Sequence, residues 1–228
     1  MSTADKLQTI AENVPKVYKA GKQAQHDILW DAIQDNGNRV IYNYAFTGAW
    51  TKEAFKPQYD MKPTHAYRMF HNCQINDDLV EILKECGVEL DFSNTSGENN
   101  YIFTNSLFTR LGVINTTSMS TISQTFMNAK AVTIDKLILK EDGTQNFVAT
   151  FTGAWQLENI TIEGKIGQDV IFNNCTKLTH DSLMSIINAL YNYSGTSTTK
   201  TLTLGTTNLE KLTDAEKAIA TQKGWSLA

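Results

Sequence analysis

The chain has 228 residues, 41% of them hydrophobic and 19% charged, a composition that supports a packed core and excludes global disorder. Lys and Arg total 20 against 24 Asp and Glu, a formal charge of -4 with no long run of either sign, so phosphate-dominated binding of nucleic acid has little electrostatic support. Cys73, Cys86 and Cys175 are an odd number at wide spacing, which excludes a disulfide scaffold and a CxxC metal pair.

At the amino terminus, Ser2-Thr3-Ala4-Asp5 carries a hydroxyl followed by a carboxylate, a pattern that satisfies the free backbone donors of a helix start. Leu7, Ile10, Val14, Val17, Gly21, Ala24 and Ile28 then alternate gaps of 3 and 4, which keeps one apolar seam on one face. Pro15 removes a backbone donor and predicts a kink or a split after Asn13. Such a seam serves either packing on the chain's own body or self-assembly, and both uses remain open. Asp35-Asn36-Gly37-Asn38 ends the segment, because Asn and Gly tolerate the left-handed conformation. Residues 1–36 are thus expected to be a helical anchoring or oligomerisation segment, with Leu7, Ile10, Val14, Val17 and Ile28 as its contact residues, and residues 37–228 a second unit. Residues 1–25 lack the apolar core of a secretory signal, and no run approaches the ~20 apolar residues of a membrane span. Synthesis in a cytoplasm without membrane insertion is the expectation.

A tetrapeptide of Phe, any residue, Gly or Asn, then a small residue occurs six times. It begins at Phe46, Phe70, Phe103, Phe126, Phe151 and Phe172, with successive spacings of 24, 33, 23, 25 and 21. Most of these fall in the range of about 20–29 residues of leucine-rich repeat units. Phe would fill the core, Gly or Asn would turn the chain, and the small residue would let neighbours approach closely. The alternating segments 88–92, 111–114, 136–139, 159–162 and 201–204 read as single strands. Helices are expected at 77–86, at 179–193 and, after the capping box Thr213-Asp214-Ala215-Glu216, at 214–223. The predicted fold is an α/β repeat: a short leucine-rich-repeat-like solenoid with one strand per repeat, preceded by an amino-terminal helix and closed by a carboxyl-terminal helical cap.

The run Phe172-Asn173-Asn174-Cys175-Thr176-Lys177-Leu178, the stretch 151–162, and the closing Leu212-Thr213-Asp214-Ala215-Glu216-Lys217 with Lys223-Gly224-Trp225 resemble BspA-type leucine-rich repeats over roughly residues 40–228. With its helical start and the turn Asn36-Gly37-Asn38-Arg39, the arrangement is similar to repeat proteins encoded in phages and prophages of gut Firmicutes. That resemblance implies a non-enzymatic virion structural protein of tail, baseplate or head fibre, serving host attachment or decoration. It also implies contact with other virion proteins and with a host-surface glycan or protein, while the seam from Leu7 to Ile28 predicts a homo-oligomer, and the charge balance and hydropathy predict neither nucleic-acid binding nor membrane insertion. A bacterial leucine-rich-repeat adhesin module is the alternative, and a surface glycan hydrolase the minor one.

The residues give no catalytic, metal or cofactor expectation. His26, His65, His71 and His180 are not at ligand spacing, and HExxH, GxSxG, GxxxxGK[ST] and GxGxxG are absent from the sequence. The acidic pairs Asp77-Asp78 and Glu141-Asp142 could be set up as acid and base for sugar cleavage, but carboxylates on turns are usually solvated charge. Cys73 and Cys175 sit where other motif copies carry Ala or Ser and read as packing residues. Trp50 and Trp155, each just after a motif, and Tyr191 and Tyr193 are the candidate surface contacts, unless their rings fold back over the core.

Overall fold

The computed structural model describes residues 41–57 and 59–228. The seam Leu7, Ile10, Val14, Val17 and Ile28, and with it the expected segment 1–36, lies outside the described residues.

Helix α1 (Leu79–Cys86) starts because the Asp78 carboxylate accepts from the N–H groups of Val80 (2.8 Å) and Glu81 (3.2 Å). It stops at Gly87, whose φ of 69° lets the chain turn left-handed and return its N–H to the last carbonyls. Strands β1 (Gly97–Glu98), β2 (Arg110–Asn115), β3 (Met119–Thr121), β4 (Thr133–Ile138), β5 (Asn159–Glu163) and β6 (Val170–Ile171) follow. Helix α2 (His180–Ala189) is capped by the Thr179 hydroxyl and buries Leu183, Ile186 and Ile187. The described chain closes with β7 (Lys200–Thr203), α3 (Thr206–Leu209), α4 (Asp214–Gln222) and β8 (Trp225–Leu227). In α4 the capping box at Thr213 and Glu216 is formed in both directions.

The expected leucine-rich-repeat-like solenoid with one strand per repeat is overturned. The eight strands among the described residues are short and divide into three separate parallel sheets, β1–β3, β2–β4–β5 and β6–β7–β8. The expected strand at 88–92 is reduced to an isolated bridge between Met61 and Leu90, and none of the named strands lies between Phe46 and Phe70. The physical reason is competition for the strand edges. The N–H groups of Ile160 and Ile162 in β5 donate to the hydroxyls of Ser182 (2.9 Å) and Ser185 (2.8 Å) of α2, so a helix occupies the position of a further strand. On the opposite side α1 approaches β2, where a Cβ at Gly112 would lie 3.1 Å from Val80 Cγ2. The likeness to a repeat fold is weak and resides in turns instead of strands.

Those turns hold the core. In five motif copies the backbone takes positive φ both two residues before the Phe (Tyr44, Arg68, Tyr101, Gln124, Ala149) and two after (Gly48, Asn72, Asn105, Asn128, Gly153). The alternation brings every second N–H to one side, and each turn donates to the next. Phe46, Phe70, Phe103 and Phe126 donate to the carbonyls of Met69, Ile102, Thr125 and Thr150 at 2.8–3.0 Å. The residues two before these Phe donate to Tyr67, Asn100, Ser123 and Val148 at 2.9–3.2 Å, and those two after to His71, Thr104, Met127 and Thr152 at 2.8–3.3 Å. Left-handed conformations cost L-residues about 1–2 kcal/mol each, which net hydrogen bonds of about 0.5–1.5 kcal/mol can offset only when several act together.

Behind the turns the six Phe rings form one stacked row, with successive centroids 5.1, 5.2, 5.9, 5.4 and 4.4 Å apart and interplanar angles of 25° or less. All six are buried. Phe55, Phe92 and Phe108 meet the row edge-on, the geometry that the aromatic quadrupole favours. The alternation of Gly and Asn at the third motif position also has a cause. Asn105 Nδ2 donates to Asn72 Oδ1 (2.9 Å) and Asn128 Nδ2 to Asn105 Oδ1 (3.1 Å), an amide ladder parallel to the rings. At Gly153 a Cβ would fall 1.9 Å from Asn128 Oδ1, so only glycine fits there.

The carboxyl-terminal end is sealed by two buried-stem lysines. Lys223 Nζ donates to the last carbonyls of α2, Ile187 (3.0 Å) and Asn188 (2.8 Å), where a cation favours the helix dipole. Lys211 Nζ likewise reaches the carbonyls of Thr176 (2.8 Å) and Leu178 (2.7 Å).

Candidate functional site

The turn column orders side chains as well as backbone. Position two before the Phe carries Tyr44, Arg68 and Tyr101 in three successive turns, and Tyr67 lies beside them. The Arg68 guanidinium carbon lies 4.7 Å from the Tyr101 ring centroid, 5.3 Å from Tyr67 and 5.8 Å from Tyr44. The rings in turn meet edge to face, Tyr44 with Tyr67 at 5.5 Å and Tyr67 with Tyr101 at 5.9 Å. Contact of this kind attracts a cation by about 0.5–2 kcal/mol.

Arg68 lacks the partner that the other described arginine has. Arg110 pairs two-pronged with Asp135, Nε to Oδ1 and Nη2 to Oδ2 both at 2.8 Å, which holds its pKa above the usual value. Arg68 forms no ion pair with a described carboxylate, and its buried Nε–H meets no acceptor among the described residues, an omission that costs about 1–3 kcal/mol. The neighbouring His71 packs edge-on against Tyr101 at 6.5 Å. Burial first, and the Arg68 charge second, push the His71 pKa below the usual histidine value, so the ring is neutral at pH 7. Tyr44 is 48% exposed, so this cluster faces solvent.

The residues singled out from sequence lie elsewhere. Phe46, Phe70, Phe103, Phe126, Phe151 and Phe172 form the interior row described above. Trp50 is 4% exposed and stands edge-on to Phe46 at 5.5 Å, so as a surface contact it is corrected to a core residue. Trp155 is 49% exposed and carries Lys130 Nζ 3.8 Å over its ring. Tyr191 and Tyr193 are half-buried and pair at 5.1 Å. Their role is structural closure: the Tyr193 hydroxyl donates to the Gly167 carbonyl (2.7 Å), and Trp225 Nε1 donates to the Tyr191 carbonyl (2.8 Å).

The groups weighed for chemistry are engaged in structure. Asp78 caps α1, and Asp77 is held below the usual carboxylate range, first by its hydrogen bond with Lys52. Asp142 is lowered by the backbone N–H and hydroxyl of Thr144. Burial pushes the Cys73 and Cys175 thiols up to about 12, so neither is a thiolate at neutral pH. His180 Nε2 lies 2.8 Å from Glu216 Oε1 and ties α2 to α4. Among the described residues no group of three or more His, Cys, Asp and Glu is placed to hold a metal ion, and no helix is long and apolar enough to cross a membrane. An open groove of ≈ 510 Å³ between α1 and β2 is lined mainly by Leu79, Leu83, Val88, Leu90, Val113 and Ile138, with Lys84, Glu89 and Asp91 also on its walls.

The cluster around Arg68 escapes a reading centred on the Phe motifs, because its members sit two and three residues upstream of them. Aligning the six copies and reading that upstream column as Tyr, Arg, Tyr, Gln, Ala, Val would have found it. Comparison with family models, with curated proteins and with solved structures finds no match to this chain.

Proposed function

We propose that the chain is a non-enzymatic structural protein of a bacteriophage particle, a tail, baseplate or head-fibre component that presents a rigid body for host attachment or decoration. The particle setting comes from the resemblance to BspA-type and phage-encoded proteins. The observation that carries the display role is the solvent-facing cluster of Tyr44, Tyr67, Arg68 and Tyr101 on turns locked to one another by three backbone hydrogen bonds each. A surface built on an unyielding support loses little conformational entropy on binding, which favours attachment. The carboxylates at 77, 78 and 142 are committed to hydrogen bonds and the buried thiols are protonated, which supports display over catalysis by these groups. Self-association and contact with other virion proteins belong to the proposal, as does a location on the particle. Mass spectrometry of particles purified from a phage-producing culture tests it. The chain is expected at stoichiometric level in intact particles, and antibody against it is expected to reduce adsorption to the host. Recovery solely from the particle-free fraction would refute the reading.

A further inference from the structure

We propose that the face formed by Tyr44, Tyr67, Arg68 and Tyr101 binds an acidic saccharide, with the Arg68 guanidinium taking the sugar carboxylate. The inference rests on reading the chain as a binding protein and names the ligand class of that same face.

The rings of Tyr101, Tyr67 and Tyr44 gather around the Arg68 guanidinium, with their centroids 4.7, 5.3 and 5.8 Å from its carbon. Its Nε is buried without an acceptor among the described residues, and its two terminal Nη groups, in no ion pair with a described carboxylate, remain as a planar pair of donors that suits the two oxygens of a carboxylate. Arg110 shows what such a fork does in this chain when an acid is at hand, closing on Asp135 with two bonds of 2.8 Å. Around Arg68 no described acid performs that service. A guanidinium held in place, partly desolvated and unpaired is prepared for an anion from outside.

Charge and surroundings narrow the class. Among the described residues neither Lys nor a second Arg joins Arg68 in the cluster, and the single positive charge they supply suits one carboxylate better than a phosphate dianion. The exposed ring of Tyr44 offers an apolar face for sugar C–H groups, as aromatic rings with a wet rim do. Neutral His71 and the end of the amide ladder at Asn72 lie in the same turn as Arg68 and offer uncharged donors and acceptors to hydroxyl groups. A ligand rich in hydroxyls and carrying one carboxylate per residue meets all of these.

Titration calorimetry of the full chain with tri-galacturonic acid, against the same trisaccharide with its carboxylates reduced to alcohols, is the test. Saturable binding of the acid alone is expected, weakening as salt is raised, with the Arg68 Nε–H resonance shifting in nitrogen–proton spectra. Arg68→Gln, and Arg68→Lys, which keeps the charge but loses the fork, are each expected to weaken binding at least about tenfold while circular dichroism shows the chain still folded at the assay temperature. Equal affinity for the reduced sugar, undiminished binding by both variants, or no binding of the acid would overturn the proposal. Equal binding of tri-glutamate or of inorganic phosphate would overturn it in favour of an acidic peptide or a phosphate ligand. Binding of the acid by a chain missing from particles would leave this inference standing and remove the virion reading. Particles that hold the chain and adsorb normally with Arg68→Gln would do the reverse.

Discussion

Replacing Gly153 by alanine tests the contact between neighbouring turns at its tightest point. The residue has φ of 71°, and an added Cβ would sit 1.9 Å from Asn128 Oδ1 and 3.1 Å from its Cγ. Two costs follow: about 1–2 kcal/mol for placing an L-residue in the left-handed region, and about 0.5–1.5 kcal/mol for pushing the Asn128 amide off its bond to Asn105. Reduced freedom of the unfolded chain returns about 0.4–1 kcal/mol, leaving a net loss of about 0.5–3 kcal/mol. Gly195 is the internal control, because its φ is 77° and no heavy atom lies within 4 Å of its added Cβ. Gly195→Ala should therefore cost only the conformational part, about 0–1.6 kcal/mol after the unfolded-state gain, and less than Gly153→Ala by the cost of displacing the Asn128 amide. Urea unfolding followed by circular dichroism measures both, and Asn128→Ala in the Gly153→Ala background completes a double-mutant cycle. A coupling energy near zero, or equal losses for the two glycines, would show that neighbouring turns do not press on each other as described.

Two further outcomes follow from the interior. Burial raises the folded pKa of Cys73 and Cys175 to about 12, above the ordinary thiol value of 9.0, so their protonated forms favour the folded state. That contribution is complete below pH 9 and is lost as pH climbs towards 12, by up to about 1.4 kcal/mol per pH unit for each thiol. Cys73→Ala with Cys175→Ala should flatten the alkaline fall in melting temperature, and an unchanged fall would assign it to other groups. Trp50→Ala should cost about 3–5 kcal/mol, as large-to-small changes in a core do, whereas exposed Trp155→Ala should leave the melting temperature nearly unchanged. Equal losses in thermal unfolding would contradict their assignment to inside and outside.

Local signals were the legible part of the sequence. The caps at Asp78, Thr179 and Thr213 act within one helical turn, so α1, α2 and α4 start within two residues of the expected positions. Segments 111–114, 136–139, 159–162 and 201–204 overlap β2, β4, β5 and β7, because alternating apolar residues report a half-buried strand directly. Sheet membership was not legible. It depends on Ser182 and Ser185, ordinary hydroxyls on a helix, reaching the β5 edge from more than 20 residues away in sequence. The two tryptophans make the same point, since Trp50 and Trp155 follow identical motif residues and yet one turns under Phe46 while the other turns out beneath Lys130. The Arg68 face is equally non-local. Tyr44, Tyr67, Arg68 and Tyr101 acquire meaning only once consecutive turns are stacked, and no single stretch of sequence contains the cluster.

Residue-resolved amide hydrogen exchange tests the locked turn column most directly. The N–H groups of Arg68, Phe70, Asn72, Tyr101, Phe103, Asn105, Gln124, Phe126 and Asn128 all donate from one turn to the next and should be protected together with those of strand β4. Exchange of these amides at the rate of open loops, while β4 stays protected, would contradict the support on which the binding face depends.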